Sequence, residues 1–127
     1  MIVVDASAAI SALLKAGQAR EALTAQQVHV PHLIDTEIAS GLRRLVSEGS
    51  LAAGEGWEAL VRWQRFSLSR YPVAGLFDRI WELRDNVSAY DACYVALAEV
   101  LDCTLITADG KLSRAPKLRC SVTVVPR

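Results

Sequence analysis

Four acidic residues are the side chains of this 127-residue sequence whose positions point to chemistry. Asp5 and Asp109 each follow a predicted strand, whereas Glu37 and Asp91 lie on predicted helices. If the four converge, their mutual repulsion raises at least one pKa, and a bound divalent cation removes that penalty. Carboxylate oxygens are hard ligands that favour Mg²⁺ or Mn²⁺. A cation held in this way polarises a phosphate and activates water for in-line attack on a phosphodiester.

Each of these acids also has an ordinary structural interpretation. Asp5 can be the N-cap of the helix that follows it, and Asp109 can form a turn before the next glycine. Ser88 and Asp91 have the spacing of a capping box at the start of a helix. Each acid is therefore weak evidence alone, and the chemical interpretation depends on the four together.

The predicted helix at residues 33–48 carries two acids, and its apolar pattern favours one of them. Glu37 lies about 60° from Ile34 around the helix axis, at the edge of the apolar stripe, where the helix meets the sheet. Asp35 lies further from that stripe, so we prefer Glu37, against the alternative that Glu37 is an ordinary surface acid. The stripe consists of Ile34, Ile38, Gly41 and Leu45.

Short apolar runs alternate with longer segments of helical period, which predicts an α/β domain. The strands lack the alternation of a one-sided sheet, so we expect helices on both faces. We predict one domain, residues 1–127, with a doubly wound parallel sheet of four to five strands, whose ligands bind outside the carboxyl ends of the strands. Pro72 disfavours the third strand. The predicted strands are residues 2–4, 28–31, 68–73, 104–107 and 122–125. The predicted helices are residues 6–15, 20–27, 33–48, 51–66, 76–84 and 88–101.

Composition narrows the class of protein. Apolar residues make up 52% of the chain and charged residues 22%, as in globular domains. The formal net charge is zero, which excludes a uniformly basic coat for nucleic acid but permits a local basic patch. Cys93, Cys103 and Cys120 are odd in number and lack C-x-x-C spacing, so we expect reduced thiols rather than disulfides or a zinc site. Neither a signal peptide nor a membrane span is predicted, and we expect a cytoplasmic protein.

Four stretches carry a family resemblance: residues 2–7 (IVVDAS), 31–37 (PHLIDTE), 88–98 (SAYDACYVALA) and 105–109 (LITAD). In order, spacing and chain length they resemble PIN-domain ribonucleases, specifically the small VapC-type toxins of bacterial toxin–antitoxin pairs. The third stretch is the most specific of the four. The resemblance implies a PIN-like parallel sheet flanked by helices, a homodimer, and Mg²⁺- or Mn²⁺-dependent cleavage of single-stranded or structured RNA. It also implies a cognate VapB-type antitoxin that blocks the site.

The same resemblance implies roles for individual residues. The family's acidic quartet falls on Asp5, Glu37, Asp91 and Asp109. The three aspartates would be metal ligands, directly or through water, and the glutamate a ligand or a base that orients water. Ser7 and Thr107 match positions where the family often has a hydroxyl beside the acids. Residues 111–113 supply no further acid of the kind that some PIN nucleases carry, so the number of metal ions, one or two, stays open.

Basic side chains must hold the phosphates of an RNA substrate. Arginine outnumbers lysine by 11 to 3, and its guanidinium group suits bidentate contact with phosphate. The candidates for RNA binding are Arg43, Arg44, Lys111 and Arg114, with Arg62, Arg65, Arg70, Lys117 and Arg119 as further basic residues. Trp57, Trp63 and Trp81 lie on helices, where tryptophan more often belongs to the core or an interface than to a base-stacking platform. In the family's pattern the early helices and the fourth helix form the antitoxin groove, and Trp57 and Trp63 are candidates to line it.

Three alternatives remain beside the toxin ribonuclease. The chain could be a catalytically silent PIN-like module that binds RNA or protein, but the presence of all four acids favours an enzyme. It could be a PIN nuclease of RNA processing or one that acts on DNA, but the short chain favours a toxin. His29 and His32 could serve a metal-independent ribonuclease by acid–base catalysis, although Pro31 separates them and His29 lies inside a predicted strand.

Overall fold

The computed structural model describes all residues, 1–127, and its centre is a single five-stranded sheet in which every neighbouring pair of strands is parallel. The strands are β1 (Ile2–Val4), β2 (Val28–Pro31), β3 (Ser69–Tyr71), β4 (Thr104–Thr107) and β5 (Val122–Val124). Their order across the sheet is β3-β2-β1-β4-β5. The predicted α/β class with a parallel sheet is confirmed, with the larger of the two predicted numbers of strands.

Seven α-helices and one 3-10 helix connect these strands. The helices are α1 (Ala6–Leu14), α2 (Gln18–Ala25), α3 (Ile34–Ser47), α4 (Ala53–Arg65), α5 (Phe77–Glu82), α6 (Ala89–Leu101) and α7 (Gly110–Ser113), and the 3-10 helix is Ala74–Leu76. Helix α6 packs across β1, β2 and β4, whereas α1 packs against β4 and against α2, α3 and α4. None of the helices is long and apolar enough to cross a membrane.

The strand order places a change of direction at the middle of the sheet. The chain starts at β1, moves outward through β2 to β3, and then crosses back to β4 on the other side of β1. Because β–α–β connections are right-handed, the two directions put their helices on opposite faces. Such a reversal opens a crevice outside the carboxyl ends of the two central strands, here β1 and β4.

The sheet and α6 form the interior. Val3, Val4 and Leu105 are fully buried, and α6 is buried without interruption from Ala92 to Ala98. A helix that is apolar nearly all round belongs in the interior, so the expectation of a buried sixth helix is confirmed. Its N-terminal turn emerges at the carboxyl end of the sheet, next to the crevice.

The structure corrects several predicted boundaries. The second helix spans Gln18–Ala25 instead of residues 20–27, and the fourth begins at Ala53. The third strand exists, although its sequence disfavoured it, but it is a three-residue edge strand paired only with β2. Helix α7 was not predicted, because four residues are too few to show helical periodicity.

Candidate active site

The two central strands deliver Asp5 and Asp109 to the same crevice. Asp5 follows β1 and caps α1, where its Oδ1 accepts a hydrogen bond of 2.9 Å from the backbone N–H of Ala8. Asp109 follows β4 and caps α7, where its Oδ1 accepts from the N–H of Lys111 at 2.9 Å. Capping and convergence therefore coexist, because the N-terminus of a helix after a parallel strand lies at the ligand-binding edge of the sheet.

Two hydroxyl groups hold Asp5 in place. Ser7 Oγ donates to Asp5 Oδ1 at 2.7 Å, and Thr107 Oγ1 donates to Asp5 Oδ2 at 2.5 Å. Each hydroxyl also accepts a backbone N–H from the segment after β4: Ser7 from Ala108 at 2.9 Å and Thr107 from Asp109 at 3.0 Å. The hydroxyls that the sequence placed beside the acids thus connect the ends of β1 and β4.

Glu37 reaches the crevice from α3, where a tyrosine positions it. The hydroxyl of Tyr94 donates to Glu37 Oε1 at 2.5 Å, and Tyr94 is only 1% exposed. The sequence analysis did not identify Tyr94, because its surroundings on α6 are apolar and typical of the core. The one available signal was its hydroxyl, since a tyrosine within a buried helical face needs a hydrogen-bond partner.

Asp91 completes the cluster from the first turn of α6. Ser88 is the N-cap of that helix and accepts a hydrogen bond from the N–H of Asp91 at 3.1 Å. Burial raises the pKa of the Asp91 carboxyl above its ordinary value, and the charges of Asp5, Asp109 and Glu37 raise it further. Because such effects need short distances, the other three acids lie near Asp91 at this edge of the sheet.

The negative charges of the cluster are not neutralised by ion pairs. Burial raises the pKa of Asp5, although the Thr107 hydroxyl opposes that shift. Burial likewise raises the pKa of Glu37 against the effect of the Tyr94 hydroxyl, and the charge of Asp5 adds to the rise. The four ion pairs of the structure involve none of these acids. None of the four acids therefore forms an ion pair within the structure.

A divalent metal ion fits this donor set in its hydrated form. No three histidine, cysteine or acidic side chains lie close enough to ligate one ion directly. Mg²⁺ usually keeps several waters and is bound through only one or two carboxylates, so direct ligation by three is not required. The four oxygen donors and the uncompensated negative charge match a hard cation, and no histidine or cysteine belongs to the cluster.

The second acid of α3 has a different environment. Asp35 accepts hydrogen bonds from Trp63 Nε1 at 2.7 Å and from Arg70 Nε at 2.8 Å. Burial alone would raise its pKa, but these hydrogen bonds outweigh burial and lower it. Asp35 thus anchors α4 and β3 to α3, whereas Glu37 faces the other acids.

Trp63 corrects a sequence-based expectation. It was expected to line an antitoxin groove with Trp57, but only 3% of its surface is exposed, and its ring stacks on Phe66. Trp63 is therefore a core residue that cannot line an open groove. Trp57 is 66% exposed and remains available for a partner.

The candidate RNA-binding residues separate into different places. Arg44 lines a cavity of about 840 Å³ between α1 and α3 that Glu37 and Ser7 also line. Lys111 and Arg114 are exposed at α7, directly after Asp109, whereas Arg43 is exposed outside the cavity. Arg127, which the sequence analysis did not single out, lines the same cavity. The further basic residues divide likewise: Arg62 donates to the carbonyl of Leu13, Arg70 pairs with Asp35, and Arg119 lies near Glu82.

The histidines lie apart from the acids. His29 Nδ1 and the Tyr71 hydroxyl are 2.6 Å apart, which ties the His29 ring to β3. His32 is exposed, and no hydrogen bond joins the two rings. The geometry therefore gives no support to a paired-histidine mechanism.

The chain resembles known proteins both in sequence and in fold. The PIN domain family model matches residues 2–118. The chain is 61% identical over 127 residues to Ribonuclease VapC9 of Mycobacterium tuberculosis, covering 100% of both chains. Its fold is similar to a toxin–antitoxin complex from Klebsiella pneumoniae, with a TM-score of 0.69, 18% identity, and coverage of 98% of this chain and 97% of the other. It is also similar to VapC20 of Mycobacterium tuberculosis, described as a Sarcin-Ricin loop cleaving toxin, with a TM-score of 0.68, 19% identity, and coverage of 99% and 100%.

Proposed function

The chain belongs to the PIN domain family, among its VapC ribonucleases, and from this premise we propose that it is a metal-dependent endoribonuclease acting as the toxin of a toxin–antitoxin pair. The observation that carries the proposal is that four acids lie near one another at the crevice between β1 and β4 and that none of them forms an ion pair. A site of this charge needs Mg²⁺ or Mn²⁺ before an RNA phosphate can approach it.

The residues of the chain divide the work between binding and proton transfer. Asp5, Asp91 and Asp109 would hold the ion directly or through water, and the ion would polarise the phosphate and activate water. Ser7 and Thr107 fix both oxygens of Asp5, which orients the carboxylate before substrate binds. The Tyr94 hydroxyl occupies Glu37 Oε1, so Glu37 Oε2 is the atom free to take a proton from the attacking water or to bind the ion.

Two macromolecular partners follow from the proposed activity. The first is RNA, and the second is a VapB-type antitoxin, supported by the similarity to the toxin–antitoxin complex from Klebsiella pneumoniae. We also propose a homodimer, which is supported by the exposed apolar face that Phe77 and Trp81 form on α5. The protein would encounter both the RNA and the antitoxin in the cytoplasm.

The decisive experiment incubates the purified protein with total cellular RNA in Mg²⁺, in Mn²⁺ and in EDTA. Asp5→Asn removes one acid of the cluster, and Asp35→Asn is a matched control for an acid outside it. We expect discrete cuts in Mg²⁺ or Mn²⁺ by the wild type and by Asp35→Asn, with at least a roughly hundredfold loss in Asp5→Asn.

Other outcomes distinguish the alternatives. Cuts that persist in EDTA would contradict the metal mechanism and return attention to the histidines. A folded protein that binds RNA or antitoxin without cutting would be a silent module. Cuts confined to precursor RNAs, with no arrest of growth on expression, would favour a nuclease of RNA processing.

A further inference from the structure

A groove leads away from the acidic cluster between α1 and α3. It begins at Ser7 and Glu37, beside the cluster, and reaches Lys15 and Glu48 at the far ends of the two helices. Ser7 and Lys15 are eight residues apart, which corresponds to about 12 Å along a helix. The groove is therefore long enough for a short stretch of a linear polymer whose reacting atom lies at the acids.

The groove is lined by apolar side chains and one exposed aromatic ring, which suits a polymer with both apolar and polar surfaces. Ile10, Leu14 and Leu45 give the groove an apolar lining, and Gly41 has no side chain because the Ile10 side chain packs directly against α3 at that point. Tyr90, which directly precedes Asp91, lines the groove with a ring that is 63% exposed. An exposed aromatic ring beside a reactive site is a surface on which a nucleic acid base can stack.

Arg127 is brought to the start of the groove by the segment after β5. The N–H of Val125 donates to the carbonyl of Thr107 at 2.8 Å, and Ser11 Oγ donates to the carbonyl of Pro126 at 3.0 Å. Arg127 Nε then donates to the carbonyl of Ala108 at 3.3 Å. These contacts place a guanidinium group next to the residue that precedes Asp109.

Two arginines of the groove have no acidic partner. Neither Arg127 nor Arg44 belongs to any of the four ion pairs. Arg44 follows Glu37 by seven residues, about 10 Å along α3, so one guanidinium group lies beside the acids and the other lies two helical turns away. Unpaired guanidinium groups directed into a groove that ends at a nuclease site are complementary to successive phosphates.

We infer that this groove binds the RNA strand on one side of the bond that is cut, with Arg127 and Arg44 donating to phosphate oxygens and Tyr90 stacking on a base. The inference rests on the proposed ribonuclease function and assigns its substrate contacts to particular residues. A segment of the antitoxin is the competing occupant, but the two unpaired arginines and the exposed ring of Tyr90 favour a polyanion with planar bases.

The test measures RNA binding separately from cleavage. A fluorescein-labelled oligouridine is titrated with wild type, Arg44→Ala, Arg127→Ala, Tyr90→Ala and Tyr90→Phe in EDTA across a salt series, and a gel verifies that the probe stays intact. Arg65→Ala is the matched control, because Arg65 is exposed on α4 outside the groove. Each arginine variant should bind the RNA probe about three- to tenfold more weakly. Each should also make the negative slope of log K against log salt shallower by about 0.7, as expected for one lost phosphate contact.

The tyrosine variants test stacking without a change in charge. Tyr90→Ala should bind more weakly by about fivefold or more at an unchanged salt slope, and Tyr90→Phe should bind as the wild type does. Wild-type affinity and salt slope in Arg44→Ala and Arg127→Ala would overturn the inference. It would also be overturned if these variants bound the RNA probe as the wild type does and lost affinity only for an antitoxin peptide. Wild-type cleavage of cellular RNA would still uphold the proposed function in that case, so the two failures can be distinguished.

Discussion

At the scale of single residues, two acids of this site are held by hydroxyl groups, one from a neighbour in the sequence and two from distant parts of the chain. Asp5 is fixed by Ser7 and Thr107, and Glu37 is fixed by Tyr94. A buried carboxylate that accepts a hydrogen bond keeps its charge more readily than one without a partner. The hydroxyl groups thus oppose the effect of burial and keep the carboxylates ready to bind a cation.

Tyr94→Phe removes one hydroxyl and leaves the ring in place. We expect a loss of about 10- to 100-fold in kcat/KM, as for other groups that orient a ligand of a metal. Without this hydrogen bond the pKa of Glu37 rises further, so activity should decline at a higher pH than in the wild type as the solution is made more acidic. The measurement is kcat/KM against pH.

The matched control for Tyr94→Phe is Tyr71→Phe, which removes a hydroxyl bonded to His29 outside the acidic cluster. It should leave the pH profile unchanged. Identical profiles for wild type and Tyr94→Phe would contradict a positioning role for Tyr94.

Thr107→Val nearly preserves the shape of the side chain but removes its hydroxyl. The valine cannot donate a hydrogen bond to Asp5 or accept one from the N–H of Asp109. Thr107 is fully buried, so the substitution removes one hydrogen bond from each partner and leaves an apolar group in the place of the hydroxyl. We expect a loss of about 1–3 kcal/mol in the free energy of unfolding, measured by urea denaturation, together with reduced cleavage. Thr104→Val removes a hydroxyl bonded to Ser121 at the other end of β4. It should change the stability by less than about 0.5 kcal/mol, because that pair is exposed.

At the scale of elements, α3 carries two tasks on nearly opposite faces. Asp35 anchors β3 through Arg70 and α4 through Trp63, which explains how a strand of unfavourable sequence is kept at the sheet edge. Glu37, two residues later, faces the acids. The helical period directs these two side chains apart.

The pair Glu37→Gln and Asp35→Asn tests this separation. Glu37→Gln should reduce cleavage by at least about a hundredfold without loss of stability, because the pKa of Glu37 is raised and the fold prefers its neutral form. Asp35→Asn should cost about 0.5–1 kcal/mol of stability through the partly exposed ion pair with Arg70 and leave cleavage within about twofold. If Asp35→Asn abolished cleavage and Glu37→Gln lowered only stability, the roles given to these two acids would be wrong.

Most elements could be predicted from the sequence, because strand ends and helix starts are local signals, whereas the four acids were joined into one site only through the family resemblance. The bounds of β3 could not, since the side-chain contacts that hold it, from Arg70 to Asp35 and from Tyr71 to His29, join it to residues distant in the sequence. Tyr94 could not be distinguished from core residues by pattern. The position of Arg127 depends on backbone contacts to Thr107 and Ala108 that only the folded chain creates.

At the scale of the whole molecule, the topology concentrates negative charge at one point of an otherwise neutral protein. The formal net charge is zero, yet Asp5, Glu37 and Asp91 all have raised pKa values. The fold itself causes this, because the reversal of strand order at β1 and β4 is what brings the acids together. The metal-free protein should therefore be less stable than its size suggests at the pH where these acids are ionised.

The sign of the pH dependence follows from linkage. An acid with a raised pKa in the folded state still holds its proton at a pH where the unfolded chain has lost it, so the free energy of unfolding falls as pH rises above about 4 through the raised values. Asp35 has a lowered pKa, so its ionisation stabilises the folded state as pH rises. It is a single acid, however, against the three with raised pKa values, Asp5, Glu37 and Asp91. In EDTA we expect the melting temperature to fall as pH rises through this range.

Metal should reverse that loss. Mn²⁺ at a hundred times its dissociation constant stabilises the folded state by about 2.7 kcal/mol, which raises the melting temperature by several degrees in a domain of this size. Asp91→Asn removes one charge from the cluster, so it should melt higher than wild type in EDTA at neutral pH and gain less from Mn²⁺. A melting temperature that rises with pH in EDTA, or an equal gain from Mn²⁺ in Asp91→Asn, would mean that the four carboxylates do not share one cation. Thermal melts of the two proteins with and without Mn²⁺, from acid to neutral pH, decide between these outcomes.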